Sequence, residues 1–84
     1  PKGVLYSHRS NVLHALASSA PDMFGLRAAE RVMPVVPMFH ANGWCLPFSA
    51  ALTGAGLVLP GPKLDGPSIH ELMEKEGVTF TAAV

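Results

Sequence analysis

The pattern of hydrophobic and polar positions along this chain alternates. Short apolar runs, typical of buried strands, are separated by segments in which apolar residues recur at helical spacing. Residues 1–3 predict a turn, and residues 4–6 predict a short strand that leaves it. Apolar positions at helical spacing then predict a helix from about residue 11 to residue 19. Candidate N-cap residues lie at 7–11, and Pro21 ends the helix.

A surface loop and a second, more deeply buried strand follow. Residues 21–30 combine turn formers and charges with three apolar positions that predict anchoring contacts: Met23, Phe24 and Leu26. Residues 32–36 predict a buried strand because Val35 and Val36 are β-branched and stand among apolar residues between prolines.

Helical periodicity resumes near Phe48. Pro47 fits the first turn of this helix, where its missing N–H costs nothing, and Gly54 and Gly56 end it. One apolar helix face is predicted from four residues: Trp44, Phe48, Ala51 and Leu52. Residues 57–59 predict the next core strand.

A third helix is predicted at about residues 67–76. Its N-cap is either Asp65 or a capping box formed by Ser68 and Glu71, and the sequence does not choose between them. Gly77 is a natural stop. The inward face is predicted to consist of Ile69, Leu72 and Met73, and a further strand is expected at residues 78–81. Strands that alternate with helices predict an α/β fold with a parallel sheet and right-handed crossovers.

The loop that follows the buried strand carries the residues most suited to a site. Phe39, His40, Asn42 and Trp44 stand within six residues of one another, just past a strand end. Parallel sheets bind ligands at the carboxyl ends of their strands, so one interpretation is a ligand site with His40 bonded to a carboxylate or phosphate oxygen. The other is an aromatic plug beneath neighbouring helices. Spacing alone leaves both open.

Composition narrows the classes of partner. Six basic and six acidic residues leave no net charge, which argues against nucleic acid and anionic membranes. Charged residues make up 14% of the chain, against about 25% in an ordinary soluble domain, which is typical of a piece from the interior of a larger protein. No apolar run reaches the roughly 18 residues of a membrane span, and the cytoplasm is the default location.

Individual reactive residues give weak signals on their own. Lys2, between Pro1 and Gly3, is either a phosphate-contacting lysine or a solvated turn lysine. The four histidines lie on separate predicted elements without ligand spacing, so no metal site is predicted. Cys45, the single cysteine, stands in an apolar run and is predicted to be a buried, inert thiol.

Three blocks in order resemble the adenylate-forming superfamily. P-K-G-V at residues 1–4, followed by Y-S-H at 6–8, resembles the end of its phosphate-binding signature, T-S-G-T-T-G-x-P-K-G-V. V-V-P-M-F-H-A-N-G-W at residues 35–44 resembles the next core motif. Residues 59–65 and 77–81 resemble the following helix and strand of fatty acyl-CoA synthetases. The resemblance covers the whole chain, but the chain corresponds to only a small part of the length of a complete family member.

The resemblance implies that residues 1–84 are a partial segment of the large N-terminal AMP-binding domain, with its doubly wound parallel sheet. It implies a fatty acyl-CoA synthetase that forms an acyl-adenylate from ATP and then an acyl-CoA thioester. Lys2 and Gly3 would close the loop around the β- and γ-phosphates. His40 would lie beside the acyl carboxylate, Ala41 would approach the adenylate through its backbone, and Trp44 would gate the acyl tunnel.

The resemblance also implies ATP, coenzyme A and Mg²⁺, with the Mg²⁺ ligands outside this segment, and a homodimer in some relatives. The start of the phosphate loop and the mobile C-terminal domain are missing from residues 1–84, so this chain alone is predicted to be inactive. One alternative is an adenylating ligase for a small, aryl or thioether acid. The other is a non-catalytic module that retains the fold.

Overall fold

A computed structural model describes residues 2–83, and Pro1 of the predicted first turn lies outside that range. Seven elements follow one another in the described part: α1 (His8–Ser18), β1 (Arg31–Pro34), α2 (Ala41–Trp44), α3 (Leu46–Thr53), β2 (Gly56–Leu57), α4 (Gly66–Glu76) and β3 (Phe80–Ala82). The predicted alternation of helices and strands is confirmed.

The three strands of the described residues form one parallel sheet in the order β2-β1-β3. Val32 is the register point, since it lies opposite Leu57 on one side and Phe80 on the other. Val32 and Met33 are completely buried, as expected for the central strand of a sheet covered on its faces. The α/β class and the parallel sheet predicted from sequence are therefore confirmed.

Helix α1 begins at His8, before the predicted start at about residue 11, and Ser7 is its N-cap. The Ser7 side chain accepts a hydrogen bond from the Ser10 backbone N–H at 3.0 Å, which satisfies one of the donors that a helix start leaves free. The helix packs against α3 through small buried residues. These are Ala15 and Ser18 on α1 with Ser49 and Ala50 on α3.

Asp65 is the N-cap of α4, which settles the choice that the sequence left open. Its carboxylate accepts a hydrogen bond from the Ser68 backbone N–H at 3.1 Å and another from the Ser68 hydroxyl at 2.8 Å. Gly77 ends the helix in a left-handed conformation, as predicted. The three predicted inward residues are only half-buried, and α4 has no fully buried residue.

Residues 4–6 do not form the predicted strand. No strand of the described residues pairs with them, and the Leu5 side chain is 98% exposed. A β-branched or aromatic run becomes a strand only where a partner supplies the ladder, so the local pattern was insufficient. In the following loop, Phe24 and Leu26 make the predicted anchoring contacts, whereas Met23 is exposed.

The predicted apolar face of the second helix is also wrong. The residues expected to point inward (Trp44, Phe48, Ala51 and Leu52) are all exposed in the described chain. The buried positions of α3 are instead Leu46, Ser49 and Ala50. α3 is apolar on several sides, so periodicity did not identify the face that packs against α1 and β1.

The cap of α4 makes its stability depend on pH. Hydrogen bonds from the Ser68 side chain and backbone lower the pKa of Asp65, so the stabilisation is present above the unfolded-state pKa of about 3.9 and is lost as pH falls below it. We expect Asp65→Ala to accelerate amide hydrogen exchange in the first turn of α4 at neutral pH. Asp65→Asn should do so less, because its side-chain oxygen still accepts.

Asp22→Ala is the matched control, since it removes an exposed carboxylate from a turn outside α4. The difference between the wild-type protein and Asp65→Asn should shrink as the pH is lowered through the acid range. Equal exchange rates in wild type and Asp65→Ala at neutral pH would contradict the capping role.

Candidate functional site

The candidate site lies where the chain leaves the central strand. After β1, the backbone N–H groups of Val35 and Val36 both donate to the Ala82 carbonyl, at 3.0 and 2.9 Å, which ties this exit to β3. A turn then leads to His40, whose backbone N–H donates to the Pro37 carbonyl at 3.0 Å. Strand β3 therefore supports the start of the segment that carries the histidine.

The His40 side chain projects into solvent beside Phe39. The two ring centroids are 4.6 Å apart and the ring planes are tilted by 43°. The Phe39 side chain is 83% exposed, so the aromatic-plug interpretation is wrong for this residue. An exposed imidazole braced against an aromatic ring is free to bond a ligand oxygen, as predicted for His40.

Five consecutive residues from Ala41 to Cys45 form a left-handed turn. Their φ angles lie between 45° and 68°. The turn closes with two hydrogen bonds of helical spacing, from Trp44 N–H to the His40 carbonyl at 3.1 Å and from Cys45 N–H to the Ala41 carbonyl at 2.9 Å. α2 is therefore not a right-handed helix, and α3 begins only at Leu46.

Left-handed backbone costs roughly 1–2 kcal/mol at each L-residue, so tertiary contacts must hold this turn. Gly43 is buried at its centre, where a Cβ would lie 3.1 Å from the Met38 Sδ. At the end of the turn, the Cys45 Sγ lies 3.7 Å from the Asn11 carbonyl, which accepts its weak hydrogen bond. Clusters of strained backbone of this kind are found at functional sites.

A cavity of about 190 Å³ separates the start of α1 from the left-handed turn. One wall comes from the α1 side (Tyr6, Ser10, Asn11 and His14), and the other comes from the turn (Ala41, Asn42 and Cys45). Residues with hydroxyl, amide and imidazole groups therefore line one wall and Ala41 lines the other, while the exposed surface of the cavity is mostly apolar.

The predicted phosphate residues lie outside this cavity. Lys2 and Gly3 are exposed, and a Cβ on Gly3 would meet no atom within 4 Å. The chain that follows them reaches the cavity wall at Tyr6. The structure therefore brings together Ala41 and the residues after the predicted phosphate segment, but not Lys2 with His40.

Trp44 also differs from its predicted setting. It is 41% exposed and does not line the nearby apolar groove of about 290 Å³. That groove is formed by Met38, Asn42, Pro47, Phe48, Leu57 and Leu59. Its walls come from the turn, from the start of α3 and from the end of β2, so it lies at the carboxyl end of the sheet.

Sequence reasoning missed the polar wall that α1 gives to the cavity. The sequence predicts Ser10 and Asn11 only as N-cap candidates and assigns His14 to no site, yet all three line the cavity. Ser10 and His14 are four residues apart, and Asn11 lies between them on the same side of the helix. A polar stripe at helical spacing was the available signal.

The remaining reactive groups do not assemble into a metal centre. Within residues 2–83, no three His, Cys, Asp or Glu side chains lie close enough together to hold a metal ion. His70 pairs with Glu74 at 3.1 Å on the exposed surface of α4. Burial raises the pKa of the Cys45 thiol, so Cys45 is not an activated nucleophile.

Comparison with known proteins adds the decisive observation. The family model described as AMP-binding enzyme matches residues 1–84. The chain belongs to the AMP-binding enzyme family. The resemblance noted from the motifs is thereby confirmed over the whole segment.

Named relatives of this AMP-binding chain are ligases that join acids to coenzyme A. It is 61% identical over 84 residues to a long-chain-fatty-acid–CoA ligase of Thermus thermophilus and 56% identical to a medium-chain-fatty-acid–CoA ligase of Ectopseudomonas oleovorans. It is 54% identical to a 3-methylmercaptopropionyl-CoA ligase of Ruegeria lacuscaerulensis. Each match covers 100% of this chain but only 15–16% of the relative.

The AMP-binding chain has no helix, among residues 2–83, that is long and apolar enough to cross a membrane. The candidate site consists of an exposed histidine, a strained turn, a cavity beside α1 and an apolar groove, all at one end of a parallel sheet. This is the end at which open α/β sheets bind ligands.

The setting of Cys45 predicts slow thiol chemistry. The thiol is buried, and its raised pKa keeps it protonated at neutral pH, so iodoacetamide should modify the folded protein far more slowly than the urea-unfolded protein. The ratio of the unfolded to the folded rate should fall as the pH rises above the ordinary thiol pKa of about 8.5, because the unfolded thiol is then fully ionised while the Cys45 thiol, whose pKa is raised by burial, is still ionising. Mass spectrometry of the alkylated protein measures both rates, and Cys45→Ser gives the background.

Comparable alkylation rates in the folded and unfolded protein would show that the left-handed turn opens readily. Such a result would contradict the close packing of Cys45 against Asn11.

Proposed function

We propose that this chain is part of the N-terminal AMP-binding domain of an acyl-CoA synthetase that activates a fatty acid. The observation that carries the proposal is the 61% identity over the whole chain to a long-chain-fatty-acid–CoA ligase. The setting of His40, exposed beyond the central strand, supports it. The three strands described above would belong to the doubly wound parallel sheet of this domain. The full-length enzyme would be cytoplasmic.

The reaction begins with attack of the acid's carboxylate on the α-phosphate of ATP, which forms an acyl-adenylate and releases pyrophosphate. The coenzyme A thiol then attacks the acyl carbon and AMP leaves. Carboxylate and triphosphate are both anionic, so the protein must reduce their repulsion and hold them in line.

Lys2 and Gly3 serve the phosphate side of this reaction. The Lys2 ammonium stabilises the negative charge that builds on the leaving pyrophosphate. Gly3 has open space on every side, so the backbone can approach the β- and γ-phosphates without a side chain in the way. The described residues gather no carboxylate set that fits Mg²⁺, and no step described here depends on ligands from this segment.

His40 and Ala41 serve the acid side. The His40 imidazole donates a hydrogen bond to the acyl carboxylate, and the Phe39 ring limits its orientation. Ala41 has no bulky side chain and lines the cavity beside α1, so its backbone can lie close to the adenylate. The strained turn fixes both residues before substrate arrives, which reduces the ordering that binding must impose.

Trp44 and the apolar groove beside the turn serve the alkyl chain. Each CH₂ that leaves water contributes about 0.8 kcal/mol, so a long chain gains several kcal/mol along such a surface. Trp44 would act as the gate to that surface. Its side chain is 41% exposed at the end of the turn, beside that groove.

A second candidate is an adenylating ligase for a small thioether acid. The 54% identity to a 3-methylmercaptopropionyl-CoA ligase favours it specifically. The site residues and the adenylation step are the same in both candidates. The two differ only in how much apolar surface the acid must cover.

Acid-dependent exchange of ATP with labelled pyrophosphate, measured on the full-length protein, separates these candidates. We expect exchange to rise with alkyl chain length, and Trp44→Ala to change the length preference. Exchange confined to small or thioether acids would transfer the assignment to the second candidate. No exchange with any acid from a folded protein would contradict adenylation and favour a non-catalytic module.

Lys2→Ala tests the phosphate side. We expect kcat/KM for ATP to fall about tenfold to a hundredfold, with the KM for the acid little changed, because one charge-assisted contact is worth roughly 1.5–3 kcal/mol. Lys63→Ala is the matched control, since Lys63 is also an exposed lysine. It lies in the loop between β2 and α4, far along the chain from the site residues. Equal effects of the two substitutions would overturn the role of Lys2.

The isolated 84-residue chain should show no exchange, because residues outside it complete the phosphate loop and supply the mobile domain. Pyrophosphate exchange by the purified chain, free of the full-length enzyme, would contradict that expectation.

A further inference from the structure

We propose that Ser49, bonded to Ser18, is a positioning residue that aligns the two halves of the adenylation site. The inference rests on the proposed function and adds to it a residue that touches neither substrate. It follows from how the two site segments connect to helices, and from what holds those helices together.

Each half of the site is continuous with one helix. The phosphate segment, Lys2–Gly3, runs into α1 through its cap Ser7. The acid segment, His40–Cys45, runs into α3, because Cys45 is the residue from which α3 starts. The relative position of the two segments is therefore governed by the packing of α1 against α3.

The α1–α3 contact is made by small residues and two polar ties. Ala15, Ser18, Ser49 and Ala50 are each no more than 5% exposed, so the two backbones approach closely. One tie joins Cys45 Sγ to the Asn11 carbonyl at 3.7 Å. The second joins the Ser18 and Ser49 hydroxyl oxygens at 3.0 Å. Two separate ties restrict rotation of one helix on the other, which a single tie would permit.

The serine pair is the stronger of the two ties. Ser49 is 0% exposed, so its hydroxyl has no access to water, and the Ser18 hydroxyl is its hydrogen-bond partner. Ser49 lies four residues after Cys45, about one helical turn or 6 Å beyond the strained turn. Its own carbonyl accepts from the Thr53 hydroxyl at 2.9 Å.

A displacement here has a specific kinetic consequence. Close-packed interiors do not absorb an added methyl group without movement of a neighbouring backbone. Each substrate would still meet its own half of the site, whereas the carboxylate oxygen and the α-phosphorus would lose their alignment. Misplacement by about 1 Å can cost as much as a hundredfold in rate.

The test uses the full-length enzyme in the pyrophosphate-exchange assay, well below its thermal midpoint. Ser49→Val should lower kcat by about tenfold to a hundredfold, with the KM values for ATP and for the acid each within about twofold of wild type. Ser49→Ala removes the hydroxyl without adding volume and leaves only the Cys45–Asn11 tie, so it should lower kcat by about threefold to tenfold at the same KM values. The Ser18 hydroxyl would then still donate to the Ala15 carbonyl at 3.3 Å.

Thr53→Val is the matched control. It removes a hydroxyl from the same helix, but that hydroxyl bonds only to α3 carbonyls among the described residues. Thr53→Val should leave kcat unchanged. Adding Ser18→Ala to Ser49→Val returns space to the interface and should restore part of kcat. Should Ser49→Val fail to fold, Ser49→Thr, which keeps the hydroxyl and adds one methyl, takes its place with the same expectations.

Each possible result of these measurements either supports or contradicts the positioning role of Ser49. Loss of kcat at constant KM, with rescue by Ser18→Ala, supports the positioning role. Loss of activity only in proportion to loss of folded protein, or an equal loss in Thr53→Val, overturns it while the proposed function stands. A wild-type enzyme that exchanges pyrophosphate with no acid overturns the proposed function, and the positioning role with it.

Discussion

The parallel pairing of β1 with a strand on each side is the contact on which the rest of the structure depends. β2 and β3 pair with β1 and not with each other, so the sheet of the described residues exists only through this strand. Val32 and Met33, completely buried, fill the space between the sheet and its covering helices. Where β1 ends, β3 still holds the chain through the Ala82 carbonyl. The segment that carries His40 therefore leaves a rigid support.

The left-handed turn just beyond that point has a strained backbone that tertiary contacts support. A run of left-handed residues is unfavourable for an L-polypeptide, and in the local sequence only Asn42 and Gly43 relieve it. The turn persists because Met38 packs at its centre and Cys45 is tied to α1. The geometry that exposes His40 thus depends on contacts from three directions. A site of this kind is preorganised by the fold rather than by its own residues.

Helices α1 and α3 contribute different parts of the candidate site. α1 carries the phosphate segment at its start and contributes the polar wall of the cavity, while α3 starts where the acid segment ends. Apolar surface at Phe48, Leu57 and Leu59 lies on the other side of the turn. The left-handed turn therefore has the cavity beside α1 on one side and the apolar groove on the other.

The sequence by itself determined the α/β class, the approximate place of each helix, the end of α4 at Gly77 and the segment that carries His40. These follow from periodicity, turn chemistry and caps, which act over a few residues. Tertiary structure alone decided that residues 4–6 have no strand partner, that α3 buries Ser49 rather than Phe48, and that residues 41–45 turn left-handed. It also decided that Ser10 and His14 face the cavity. The physical reason is that strand pairing, the choice between two apolar helix faces and the support of a strained turn all depend on residues distant in sequence.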